Sequence, residues 1–356
     1  MNILILGNGF DLAHGLPTKY GDFIDAVMKK TDFYNFVVED PHFSKKIFNC
    51  VQNSMIFKFM KNKLDSNDGW IDFENELREV VDSICSFPNV LDRFTYMEKG
   101  KIKVEFRLSN EKIHQLSPFL YHIVGKTGTL KTIWTQNEIN VLEDNIFAQI
   151  KNFINLFAEY IVWITERKMN SLSPLDFFRN MKIDHLLSFN YTKTYLNLYN
   201  TDEKLMTNNI CFVHGKIDTQ FNSGIVMGIG SDFYDENKHE KYVDFFKFFQ
   251  CYKYSTNTNY LRWIRKYTSS ILESKFIATK LEDCIIHIYG HSLDPTDKNI
   301  LKPFFDLNNS TVYIYYLDEP NKELLEHNLL KILGKNSFID YLTGEHPKVH
   351  FKQIQK

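Results

Sequence analysis

The chain has 356 residues, a formal net charge of −2, and 44% hydrophobic and 24% charged side chains. That is the make-up of a folded globular protein with room for one large α/β domain plus an insertion, or for two domains, and it offers no global basic field for nucleic acid. The five cysteines form no C-x-x-C pair, which speaks against a zinc site or a disulfide framework and suits a reducing cytosol. No stretch approaches ~18 uninterrupted apolar residues and the N-terminus has no basic leader region, so a cytoplasmic protein without a membrane span is expected.

Residues 1–20 read MNILILGNGFDLAHGLPTKY. The nearly uncharged run 1–6 stops at Gly7-Asn8-Gly9, the pattern of a fully buried parallel strand that turns into a helix. Glycines at that turn let backbone N–H groups face a bound phosphate, and the helix start adds partial positive charge. The third glycine of the dinucleotide fingerprint is missing, since position 12 is Leu, and a tight β-to-α turn explains the motif equally well. Thr18 can cap a helix whose apolar face is Tyr20, Phe23, Ile24, Val27 and Met28. Residues 32–64 are rich in aromatics, Phe43 among them, and read as one or two helices. Ser66-Asn67-Asp68-Gly69 signals a turn. Trp70-Ile71-Asp72-Phe73-Glu74 then leads into Leu77, Val80, Val81 and Ile84 at helical spacing. Pro88, Gly100, Pro118, Gly125 and Gly128 break up 86–128, and a long amphipathic helix follows over about 137–167. Residues 31–180 thus read as a mainly helical insertion that divides a nucleotide-binding α/β domain into 1–30 and 181–356.

Strand patterns resume at 183–189, ending in Asn190-Tyr191-Thr192, and at 210–213, ending in His214-Gly215. Residues 224–230 read as a further short strand or hairpin arm, and 238–281 as helices. The run 284–289 ends at Gly290-His291-Ser292-Leu293, and 311–317 and 349–352 are the last strands. A single parallel sheet with these loops at its carboxyl ends is the economical assembly. Singly, a strand-terminal Asn is a turn former and a strand-terminal His a hydrogen-bonded structural residue. In one sheet, Asn8, Asn190, His214 and Ser292 converge on one crevice. Asp72 and Glu74, with Trp70, read either as an acidic patch facing that crevice or as a helix start with Trp70 packed as a staple. His14 faces the ligand or packs beneath the loop, and His291 is either exposed or functional. Asp294 and Asp297 stand where helix capping is the default role.

Gly7-Asn8-Gly9-Phe10-Asp11, followed after three residues by Gly15-Leu16-Pro17, resembles the sirtuin motif GAGxSxxxGIP. Ser188-Phe189-Asn190-Tyr191-Thr192 resembles the sirtuin TQNID segment, or TxNYD of sirtuin-like bacterial effectors. His214-Gly215 is similar to the family's His-Gly, and Gly290-His291-Ser292-Leu293 to its GTSL. More narrowly, and over most of the chain, GNGFDLAHGLPTKYGDF with WIDFE and IYGHSLDPTD resembles the AbiH family of bacterial abortive-infection proteins, which act against phage.

The resemblance implies an α/β fold with a Rossmann-like, sirtuin-like parallel sheet and a large mainly helical insertion. It implies a pocket for NAD formed by Gly7, Asn8, Gly9, Phe10, Asp11 and Gly15, with Gly290 and Ser292 by the adenosine half. Asn190 corresponds to the Asn that orients water at the nicotinamide ribose, and His214 to the catalytic His. Four departures stand out. Asp11 replaces the motif's Ser; a carboxylate repels a pyrophosphate in a low-dielectric crevice, so it caps the helix or accepts from ribose hydroxyls instead. Thr192 replaces the Asp of TQNID. Thr18, Lys19 and Tyr20 stand in place of Asp-Phe-Arg, and the paired cysteines of the sirtuin zinc module are missing.

The implied activity is hydrolysis of NAD at its nicotinamide–ribose bond during phage infection, restrained in healthy cells by a homo-oligomer or a phage-derived trigger. The alternative is a module that senses NAD or a related nucleotide without cleaving it and reports to a partner. Cleavage builds positive charge on the ribose. Asn190 can position a water through its amide, and His214 can act as general base near neutral pH. No metal is expected. The chain has neither a carboxylate cluster at strand ends nor a basic stripe, which argues against a nuclease and against a nucleic-acid partner.

Overall fold

The computed structural model describes residues 1–29, 32–39, 45–66, 71–125, 131–200, 202, 204–217, 224–256, 258–277 and 283–354, with backbone alone for 272–277. Phe43, Asn67, Asp68, Gly69, Trp70 and Gly128 lie outside the described residues. Strand β1 (Asn2–Leu6) opens the chain, and β2 (Asp92–Glu98), β3 (Lys101–Arg107) and β4 (Ile133–Trp134) form a small antiparallel sheet. Strands β5 (His185–Ser188), β6 (Ile210–Phe212), β7 (Cys284–Tyr289), β8 (Ser310–Tyr316) and β9 (Val349–Gln353) join β1 in a six-stranded sheet of order β6-β5-β1-β7-β8-β9. Every pairing in that sheet is parallel.

The sheet grows outward from β1 in both directions. The chain lays down β5 and β6 on one side, then crosses over to β7, β8 and β9 on the other. Such a reversal leaves a crevice outside the carboxyl ends of the strands, here between β1 and β7, where open α/β sheets hold their ligands. The uncharged run 1–6 is explained by this central position, because Ile3, Leu4, Ile5 and Leu6 are at most 1% exposed. One face of the sheet packs on helices Asn259–Ile277, Lys298–Phe305 and Glu319–Leu333. The other face packs on Phe10, Phe178 and Tyr195.

At the crevice two loops meet backbone to backbone. Gly7 N–H donates to Tyr289 O at 3.1 Å and Gly9 N–H to Gly290 O at 2.8 Å. A Cβ on Gly9 would lie 2.7 Å from Gly290 Cα, and one on Gly290, at φ +67°, would lie 2.4 Å from Phe10 N. Close approach of the β7 loop therefore requires the glycines. This revises the sequence reading, in which the N–H groups of Gly7 and Gly9 face a phosphate.

The region expected to be helical contains helices Asp32–Glu39, Lys45–Gln52, Met55–Ser66, Phe73–Val90 and Gln136–Lys168, so 32–64 holds three helices rather than one or two. Its core is aromatic: Phe23 meets Phe153 and Phe157 edge-on, with ring centroids 5.2 and 5.4 Å apart, and Phe73 stacks on Phe153. Thr135 and Glu138 close a capping box at the start of the long helix. Three expectations are corrected. The weakly patterned stretch 86–128 contains the β2–β3 hairpin, whose strands are mostly exposed and so carry little burial periodicity. Residues 224–230 form no strand beyond a single bridge from Ile229 to Phe246; Ile225, Met227 and Ile229 alternate because they enter the aromatic core. Thr18 does not cap the following helix, since its hydroxyl donates to Asn8 Oδ1.

Glu159, on the inner face of the long helix, is 7% exposed and its Oε2 has no hydrogen-bond partner among the described residues. Burial pushes its carboxyl up from 4.5 to about 7. The folded chain thus keeps a proton that the unfolded chain has released, and this group costs stability as pH rises from 4.5 to about 7, with no further change above. Glu159→Gln is expected to leave stability near pH 4 almost unchanged and to raise it at pH 8 by on the order of 2 kcal/mol. Urea unfolding of both chains across pH measures this, and a difference that does not vary with pH would count against it.

Candidate functional site

Beyond the carboxyl ends of β6 and β7 lies a buried charge network. Lys247 begins helix Lys247–Lys253, and its backbone N–H donates to Ile229 O at 2.9 Å. Its ammonium is 2.7 Å from Asp297 Oδ1, 2.7 Å from Glu74 Oε1 and 3.1 Å from Thr296 Oγ1. Thr296 Oγ1 in turn donates to Glu74 Oε2. Burial alone would lower the Lys247 pKa, but Asp297 and Glu74 hold it well above its ordinary value. Burial would raise Asp297, yet Lys247 and His214 push it far below the usual carboxylate range. Glu74 ends at about 7, because burial outweighs the attraction of Lys247. Both carboxylates face the Lys247 ammonium.

His214 stands two residues past β6, and its Nε2 is 3.2 Å from Asp297 Oδ1. Nε2 is buried and faces that carboxylate as its ionic neighbour within the network. Burial and Lys247 lower the His214 pKa against the pull of Asp297, leaving a neutral imidazole at pH 7. His291 accepts from Leu293 N–H at Nδ1, 2.9 Å, and turns Nε2 toward Asp297 Oδ2 at 3.6 Å. Burial lowers its pKa to about 4. Phe189 stands edge-on to both imidazoles, at 5.2 Å from His214 and 4.2 Å from His291. Leu293 takes φ +55°, a strained backbone for a residue with a side chain, of the kind that gathers at functional loops.

A second cluster joins β1 to β5. Asp11 is 1% exposed, and its Oδ2 accepts from Thr192 Oγ1 at 2.7 Å; that hydroxyl lies 2.8 Å from Thr194 Oγ1. Burial raises the Asp11 carboxyl to about 6, with Thr192, Thr194 and Asn190 opposing. Asp11 Oδ1 and Asn190 Oδ1 are both buried without a hydrogen-bond partner among the described residues. The loops after β5 and β6 are tied together, since Val213 N–H donates to Ser188 O at 3.0 Å.

The side chains expected at one rim divide into two groups. Asn190 and His214 are buried just past the neighbouring strands β5 and β6, whereas Asn8 and Ser292 are exposed; Asp11, in helix Asn8–Ala13 after β1, is buried too. Asp11 does not cap its helix; its side chain reaches the β5 loop instead. His291 is buried and faces Asp297. His14 packs beneath the loop: Nδ1 donates to Phe10 O, and Nε2 accepts from Tyr199, each at 2.7 Å. Asp72 caps its helix by accepting from Asn75 N–H, while Glu74 reaches across to the β7 loop. Asp294 caps Thr296, but Asp297, expected to cap as well, is instead the anion of the network.

Sequence reasoning missed Lys247. The available signal was a lysine set among Phe245, Phe246, Phe248 and Phe249, where a charge needs a buried partner. Among the described residues no group of three or more His, Cys, Asp or Glu could hold a metal ion, and no helix is long and apolar enough to cross a membrane.

Fold and site together define a parallel α/β protein with a buried charge network and unpartnered polar atoms at the carboxyl edge of its sheet. The chain belongs to the bacteriophage abortive infection family AbiH, whose sequence model matches residues 3–316. That membership connects it with abortive infection in antiviral defence. No curated protein and no solved structure matches it.

Proposed function

We propose that the protein acts in phage defence by hydrolysing NAD at the nicotinamide–ribose bond, in a Rossmann-like, sirtuin-like crevice at the carboxyl edge of the sheet. One observation carries this reading: Asp11 Oδ1, in the helix after β1, and Asn190 Oδ1, in the loop after β5, are buried without hydrogen-bond partners among the described residues. Buried polar atoms are nearly always satisfied, so such a set suits a hydroxyl-rich ligand such as a ribose. Counted in chain order, the strands run 3-2-1-4-5-6, the order of doubly wound dinucleotide-binding sheets, which supports a nucleotide at the switch point.

On this reading Asn190 holds the attacking water, and the neutral His214 takes its proton as the C1′–N bond breaks and nicotinamide leaves with the bonding pair. Asp297 beside Nε2 favours the Nε2–H tautomer, leaving Nδ1 as the basic atom, and stabilises the imidazolium that forms. Asn190, His214 and His291 are only 5–7% exposed, which favours a second reading, a sensor that retains NAD uncleaved. Incubation of the purified protein with NAD, NADP or ADP-ribose, followed by chromatography for nicotinamide and by calorimetry, separates the two. Free nicotinamide is expected. Binding heat with intact NAD supports the sensor, and neither signal removes both readings.

A further inference from the structure

We propose that Asp11 is a catalytic carboxylate of this site, its free Oδ1 accepting a hydrogen bond from a hydroxyl of the nicotinamide ribose and facing the positive charge that develops there. The inference rests on the NAD-cleavage reading. Its first support is a contrast within the molecule. Buried Asp297 has a cation, Lys247, at 2.7 Å, whereas among the described residues Asp11 pairs with none. A buried carboxylate without a counter-charge is costly; Glu159 shares that cost on the long helix Gln136–Lys168, whereas Asp11 stands beside Asn190 of the β5 loop.

The second support is geometry. Thr192, braced by Thr194, holds Oδ2 and thereby aims the carboxylate, while Oδ1 is buried without a hydrogen-bond partner among the described residues. A carboxylate only accepts, so the group that completes it is a donor. A ribose hydroxyl is such a donor. Loss of neutral nicotinamide leaves an oxocarbenium-like ribose, and a fixed anion in a water-poor site stabilises it more than it stabilises the ground state. The bonds balance without Asp11 taking a proton: water oxygen joins C1′, the C1′–N pair leaves with nicotinamide, and the water proton passes to His214 and on to solvent. The groups facing the Asp11 carboxylate are Thr192, Thr194 and Asn190, none of them charged. Its ionisation near pH 6 thus contributes an acid limb to the rate profile.

The test compares wild type, Asp11→Asn and Asp11→Ser on NAD and on NAD analogues lacking the 2′- or 3′-hydroxyl of the nicotinamide ribose. With NAD, both variants are expected to lose about 10–100-fold in kcat, the worth of a hydrogen bond to a charged group, with a smaller change in KM. On the analogue that lacks the contacted hydroxyl, the gap between wild type and variants narrows, and on NAD Asp11→Asn no longer shows the acid limb near pH 6. An equal loss on all three substrates, or no loss on any, overturns the assignment while leaving NAD cleavage standing. A wild-type protein that leaves NAD intact overturns both. Thermal unfolding of the variants identifies a loss that comes from misfolding.

Discussion

Lys247→Met is expected to lower folding stability by about 3–5 kcal/mol, the cost of breaking a buried ion pair from one side. Methionine approximates the stem of lysine, so little packing is lost. What is lost is the counter-charge to Asp297 and Glu74, whose carboxylates lie 2.7 Å from the ammonium in a region where Lys247 and Asp297 are 6% exposed. Urea unfolding at neutral pH measures the loss. Adding Asp297→Asn and Glu74→Gln to Lys247→Met is expected to recover much of it, because no unpaired charge then remains inside. A single-variant loss under about 1 kcal/mol, the scale of a surface pair, would show that water reaches the network.

His214→Ala is expected to reduce nicotinamide release from NAD by about 10²–10⁴-fold, the usual contribution of a positioned acid–base group. Because His214 is buried against Phe189, His214→Asn serves as a second variant that leaves a smaller gap, and unfolding midpoints establish that each variant folds. The sign of the pH dependence follows from the depressed pKa of His214: the base is neutral at pH 7, and activity falls as it gains a proton below its ordinary value of 6.5. Asp297→Asn removes the carboxylate beside Nε2 and is expected to slow turnover less than either His214 variant. Equal activity of His214→Ala and wild type would remove His214 from the chemistry.

Local signals located most of the sheet. The runs 1–6, 284–289 and 311–317 are short and apolar and end at turn residues, so their strand character is carried by adjacent residues. The glycines of the first loop were legible as a requirement, but their cause was not. Gly9 and Gly290 are 281 positions apart in sequence, and only folding shows that each leaves room for the other's backbone. Asn190 and His214 were visible because each closes a strand. Lys247 and Asp297 were not, since a lysine in a helix and an aspartate near a helix start look the same whether they face water or each other.

The amino-acid sequence by itself determined where most of the parallel strands lie, that Asn190 and His214 follow two of their carboxyl ends, and that the chain resembles the AbiH family. These properties reside in short segments, where apolar runs and turn residues dictate local structure. Tertiary structure alone decided that Asn8 and Ser292 stay at the surface and that Glu74 reaches across from the helical region to Lys247 and Thr296. It also decided that one buried carboxylate is paired while another is left without a cation. The physical reason is that burial and ion pairing depend on what the rest of the chain brings within a few ångströms, which no local pattern encodes.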